Sequence, residues 1–316
     1  MFPPNTDDDG RQTRRKFIGT AAALSAVGLA GCSGNDSTPT PTEEPMMTDT
    51  PTDSPTPTET DTATPEPPAP DVPILNYALT LEHLENAFYR DGLEEFSDDE
   101  LMNADALSTF NETVRMQVPE YLETVGAHEQ AHVDALSATI EELNGEAVVE
   151  GEYDFGYNTP SEFLAIGEAL ENTGVAAYAG AAPKVVNNEL LTVAAGIHSV
   201  EARHAAFLNL VNDRAPFPNA VDEAKSVDEV LEIAGQFVTS EVDPSAYELD
   251  EERPTHDRKA DDDTSDVDVL NYALTLEHLE NAFYRDGLEG FTDEELMNAD
   301  VLSDYGTKVQ EKVPGH

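Results

Sequence analysis

Four stretches of this chain place apolar residues at alternating spacings of four and three, the repeat by which one side of an α-helix faces a bundle. One runs Val118, Leu122, Val125, then Glu129 and His132, then Leu136 and Ile140. Another runs Leu190, Ala194, Ile197, then Glu201 and His204, then Leu208 and Val211. In both, the seats assigned to the buried seam are taken by a glutamate and, three residues later, a histidine. Two further stripes read Leu75, Leu79, Glu82, Asn86, Tyr89, Leu93 and Leu164, Glu168, Glu171, Val175, Tyr178, Ala182. They predict helices over Leu75–Leu93 and about Glu162–Ala182. Each carries a tyrosine seven residues after a glutamate, two helical turns on and therefore on the same face. The pattern predicts an all-α four-helix bundle in which one hairpin, a Glu helix followed by a Glu-x-x-His helix, is used twice.

A lone Glu-x-x-His pair would carry little weight in a chain with 65 acidic residues and eight histidines. Its placement in the seam carries more. An ionised carboxylate is costly to bury without a partner, and a cation is the natural one. Glu82, Glu129, His132, Glu171, Glu201 and His204 together offer four carboxylates and two imidazoles to one core, the donor set of a carboxylate-bridged two-metal centre. The Glu82 and Glu171 carboxylates would bridge or cap the metals, with the imidazoles as terminal ligands. This donor set suits two iron or manganese ions better than copper(I), and it argues against structural zinc. Glu85 and Glu168 lie one turn from the chosen carboxylates, and Tyr89 and Tyr178 share their faces. These four rank as extra ligands, supporting groups or, for the two carboxylates, solvated charges.

The order and spacing of these motifs resemble the ferritin-like superfamily, which includes ferritins and rubrerythrins. The segment from Leu75 to Tyr89 is similar to the first helix of exported ferritin-like proteins grouped with plant desiccation-related proteins. The resemblance spans residues 71–213 and implies a four-helix bundle holding an iron or manganese pair. It supports fold and site better than any particular reaction.

The N-terminal residues 1–31 resemble a twin-arginine lipoprotein signal. Arg14 and Arg15 lie in Thr13-Arg-Arg-Lys-Phe-Ile18, an apolar stretch too short for a membrane span follows, and Leu29-Ala-Gly-Cys32 resembles a lipobox. Cys32, the only cysteine, is the expected lipidation site, with an uncleaved membrane anchor or a free thiol as alternatives. A single cysteine also excludes an intrachain disulfide or a thiolate cluster. Residues 32–70 are rich in Thr, Pro and acidic groups and scarcely apolar, which predicts a disordered stalk. The expected location is the outer face of the cell membrane, reached through the export machinery and held by a lipid; homo-oligomerisation is left open.

The net charge is −49, with 16 basic residues. Nucleic acid and anionic membrane surfaces are poor partners for such a field. The excess extends over stalk and loops alike, which favours adaptation to molar salt over a cation-collecting surface. Beyond the bundle, Ser226-Val-Asp-Glu229 forms a capping box opening a helix expected to reach about Val242. That helix and an acidic linker fill residues 214–265. Then Leu75–Glu94 recurs unchanged as Leu270–Glu289, at an offset of 195, and the likeness continues to Val313-Pro314. This incomplete repeat, residues 266–316, contains Glu277 and Glu280 but no Glu-x-x-His, so no second metal site is expected in it.

Two functions are compatible with this reading. One is redox chemistry of oxygen or peroxide at the two-metal centre. The other is a non-catalytic envelope protein for stress or desiccation tolerance, or for metal binding.

Overall fold

The computed structural model describes residues 67–240, 265–303 and 305–313. The twin-arginine motif with Arg14 and Arg15, the lipobox with Cys32, nearly all of the stalk and most of the acidic linker lie outside these residues. Four long helices form the bundle: α1 (Val72–Glu95), α2 (Val118–Glu142), α3 (Pro160–Ala181) and α4 (Asn188–Val211). Proline stands in the first turn of α1, α2 and α3, where its missing N–H costs nothing. The α3 and α4 N-termini are capped by Thr159 and Asn187 side chains. No helix among the described residues is long and apolar enough to cross a membrane.

Helix α1 packs along α2, α3 packs along α4, and α1 also meets α3. One apolar cluster joins Val72 and Leu75 at the start of α1 to Ile140 near the end of α2, Tyr178 near the end of α3 and Ile197 of α4. The α2 and α3 C-termini therefore share one end of the bundle, so their connection must travel its whole length. It does so along the outer side of α1. The Asn76 side chain donates to the Glu146 carbonyl at 3.0 Å and accepts from the Val148 amide at 2.9 Å, His83 Nε2 lies 3.1 Å from the Val148 carbonyl, and Arg90 pairs with Glu150 at 3.0 Å. This cover explains why α1 is buried almost all round, whereas a single stripe predicts one buried face.

The buried Asp71 carboxylate accepts from the Val186 and Asn187 amides at 2.8 and 3.0 Å, tying the entry of α1 to the entry of α4. At the other end, Phe88 and Phe163 stack at 4.6 Å and Phe88 meets Phe155 edge-on at 5.2 Å. A fifth helix, α5 (Val227–Ala234), opens with the capping box of Ser226 and Glu229. It stops well short of Val242 because the chain turns at Gly235 into a short 3₁₀ turn, and Val238 then pairs with Tyr153 in an isolated antiparallel bridge.

The repeat forms α6 (Asp266–Gly290), with no buried residue. Leu79, Phe88 and Tyr89 of α1 are fully buried, while their counterparts Leu274, Phe283 and Tyr284 are 51%, 71% and 61% exposed. Identical sequence thus forms the same helix in both places, but among the described residues only α1 is packed round by partners.

Candidate metal centre

The seam residues meet in one layer midway along the bundle. Glu82 comes from α1, Glu129 and His132 from α2, Glu171 from α3, and Glu201 and His204 from α4, and all six are buried. Apolar clusters close the layer off toward both ends of the bundle. The donor atoms fall into two sets, each within 4.8 Å: Glu82, Glu129, His132 and Glu201, and Glu129, Glu171, Glu201 and His204. Glu129 and Glu201 belong to both. Glu82 and His132 belong to the first set alone, and Glu171 and His204 to the second. His132 Nδ1 lies 3.1 Å from Glu82, 3.2 Å from Glu129 and 3.0 Å from Glu201. His204 Nδ1 lies 2.9 Å from Glu129, 3.4 Å from Glu171 and 3.7 Å from Glu201.

Many of these close approaches are not hydrogen bonds. Glu129 Oε1, Glu171 Oε2, both Glu201 oxygens and His204 Nδ1 are buried and lack an aligned hydrogen-bond partner. Buried polar atoms are seldom left this way. Five such atoms converging on one small volume fit a pair of hard or borderline cations, and the carboxylate–imidazole donor set agrees.

Without a cation, protons carry the compensating charge. Burial opposes ionisation of Glu201, but the close imidazoles of His132 and His204 outweigh it and hold the carboxyl down at about 2. Burial likewise disfavours charged imidazoles, yet the surrounding carboxylates raise His132 and His204 to about 12. Burial raises Glu171 to about 7 and pushes Glu129 well above the ordinary carboxylate range. Metal binding must displace such protons.

Two tyrosines hold the layer from its two sides. Tyr89 of α1 donates to Glu171 of α3, and Tyr178 of α3 donates to Glu82 of α1. Glu85 is also buried here; burial, then the Glu201, Glu171, Glu129 and Glu82 carboxylates, raise its carboxyl well above the ordinary range. It fits because a Cβ on Gly174 would stand only 3.0 Å from its Oε1. Glu168 does not join the cluster. It turns to the rim of the bundle and pairs with Arg214 at 2.7 Å, because its seat lies one turn outside the layer and a cation is available there. His128, which lies outside the apolar stripe of α2, also reaches the site: its Nδ1 sits 3.0 Å from His204 Nε2, with the rings stacked at 5.2 Å. Its one sequence signal was adjacency to Glu129.

Residues 70–213, and again 265–313, match the family model described as ferritin-like domain, well over half of the chain. The chain belongs to the ferritin-like domain family. No curated protein matches it. The first matched segment of this ferritin-like chain contains every member of the buried carboxylate–histidine layer, and the second is the repeat that carries the exposed helix α6. Buried clusters of this composition are compatible with a two-metal site in a ferritin-like fold.

Proposed function

We propose that this ferritin-like chain holds two iron or manganese ions and uses them in redox chemistry with dioxygen or peroxide, as an exported protein anchored through Cys32. The observation that carries the metal reading is the pair of four-residue sets sharing Glu129 and Glu201, with buried oxygens that lack hydrogen-bond partners. His132 and Glu82 would cap one metal, His204 and Glu171 the other, and Glu129 and Glu201 would span both. A bound pair would supply one-electron and two-electron chemistry to a small oxidant. The protein's own part is to orient and to exclude water: Tyr178 and Tyr89 fix the outer oxygens of Glu82 and Glu171, while the apolar clusters keep solvent out.

Elemental analysis tests the site. The purified protein should contain about two transition-metal ions per chain. His132→Ala combined with His204→Ala should lose them while keeping its helical circular dichroism; unchanged metal in that variant overturns the assignment. Turnover of dioxygen or peroxide by the reduced, loaded protein separates redox chemistry from a stress-tolerance or metal-binding role. Export and anchoring rest on Arg14-Arg15 and the Leu29-Ala-Gly-Cys32 motif. Cys32→Ser should release the protein or leave its precursor unprocessed, and Arg14→Lys combined with Arg15→Lys should retain it inside the cell. Normal surface anchoring of both variants counts against this part of the proposal.

A further inference from the structure

Next to the ligand layer, toward the end where α1 and α4 begin, the bundle holds a partly open cavity of about 30 Å³. Ile74, Leu75, Leu136 and Tyr178 are buried in its wall, while Val193 and Ala194 lie at its more exposed side on α4. Of the residues lining it, only Thr139 and Tyr178 carry a polar side-chain group, and both groups are engaged. The Thr139 hydroxyl donates to the Ala135 carbonyl at 2.7 Å, and the Tyr178 hydroxyl donates to Glu82. A water molecule needs two to four polar partners and would find no free donor on these side chains, only the remaining lone pairs of the two hydroxyls. The space exceeds the roughly 10–15 Å³ that one water-sized molecule requires, but it is far too small for a drug-sized organic ligand. Its natural guest is apolar and has only a few atoms.

The cavity's position gives that guest a purpose. Leu136 follows His132 by four residues and Ala78 precedes Glu82 by four, so the cavity lies about 6 Å along the helices from the ligand layer. Tyr178 belongs to both places: it lines the cavity and bonds a carboxylate of the layer. Val193, half exposed, stands where the cavity meets solvent.

We propose that this cavity is a binding and delivery site for dioxygen, which makes dioxygen rather than peroxide the oxidant favoured by the metal centre; the second half of this proposal rests on the function proposed above. Peroxide carries two hydroxyl groups that would exchange their hydrogen bonds to water for a wall with no free donor and at most two hydroxyl oxygens as acceptors. Dioxygen loses none.

Xenon, a probe of dry apolar cavities, tests the site without any metal. The metal-free protein should bind xenon in ¹²⁹Xe NMR, with methyl shifts confined to residues such as Leu75, Ala78 and Leu136. Ala194→Phe should abolish that uptake, and Leu136→Ala, which enlarges the cavity, should strengthen it. In the reduced, metal-loaded protein, Ala194→Phe should slow oxidation by dioxygen about tenfold or more, as for a blocked access route, and leave oxidation by hydrogen peroxide unchanged. If Ala194→Phe does not fold, Val193→Trp serves at the same mouth. Absence of xenon uptake by the unaltered protein overturns the cavity. Xenon uptake with equal slowing of both oxidants, or of neither, overturns delivery of dioxygen. Xenon uptake in a protein that reacts with neither oxidant leaves the apolar site standing and overturns the function proposed above, together with its dioxygen half.

Discussion

His128 stands between the buried layer and solvent, and its ring shields the outer nitrogen of His204. Partners of this kind fix the tautomer and orientation of a ligating imidazole, and their loss commonly costs 10–100-fold in metal affinity. His128→Ala is therefore expected to weaken one of two metal equivalents by about that factor in a calorimetric titration, while His128→Gln, whose amide oxygen can still accept from His204, retains most of the affinity. Equal affinity in all three proteins would falsify this role. The protonation pattern gives a second expectation. Glu201, depressed to about 2, contributes stability that is present above the usual carboxylate range and is lost as pH falls through 2. Glu171, raised to about 7, contributes stability that is present below the usual carboxylate range and fades as pH rises through 7. His132 and His204 add stability that is lost progressively between the ordinary histidine pKa and about 12. The metal-free protein should thus melt highest near pH 5 and lower at pH 8, whereas metal should move the maximum upward; a metal-free optimum at pH 8 contradicts this. The candidate ligand seats were legible because Glu and His interrupt an apolar stripe at stripe spacing. His128 and the burial of Glu85 were not, because each depends on a neighbour from another helix, His204 in one case and Gly174 in the other.

Among the elements, α1 and α6 present the same twenty residues in opposite environments. The α1 slot is filled by the copy that lies close in sequence to α2, and the shorter connection loses less entropy on closing. A chain ending at Ala260 should accordingly bind the same amount of metal. Glu82→Ala alone should impair binding; if it is silent, and metal is lost only when Glu277→Ala is added, then α6 has taken the slot. The join of α5 to α3 makes a sharper demand. The Lys225 amide donates to the Ala176 carbonyl at 3.0 Å, and the Lys225 carbonyl lies so close to Gly180 that a Cβ there would collide with it. Gly180→Ala should cost about 1–3 kcal/mol in denaturant unfolding; an unchanged midpoint would show that the segment yields freely. The long helices could be read from periodicity because each buries a continuous stripe. The cover over α1 could not, because it rests on single long-range bonds such as Asn76 to Glu146 and Val148. The early end of α5 could not either, because Tyr153, which pairs with Val238, is far away in the chain.

For the molecule as a whole, a net charge of −49 makes ionic strength a structural variable. Screening acts over about 10 Å at 0.1 M salt but only about 3 Å at 1 M. The melting temperature should fall steeply as salt is diluted from molar to 0.1 M, and a flat profile would oppose the reading of adaptation to salt. The four helices are also fastened unequally. Where α1 meets α3, Tyr89 and Tyr178 cross between the two hairpins, bonding the glutamates on the far side. Between α2 and α4, among the described residues, the ties are the imidazole contact of His128 with His204 and the edge contact of Tyr121 with Phe207, besides the buried carboxylates and imidazoles that could hold a metal ion. The bundle is therefore bound like a book, with its spine along α1 and α3 and its covers at α2 and α4. Ions should enter and leave at the fore-edge, and loading should clasp it shut. Amide exchange should slow in α2 and α4 when metal binds and change little in the buried length of α1.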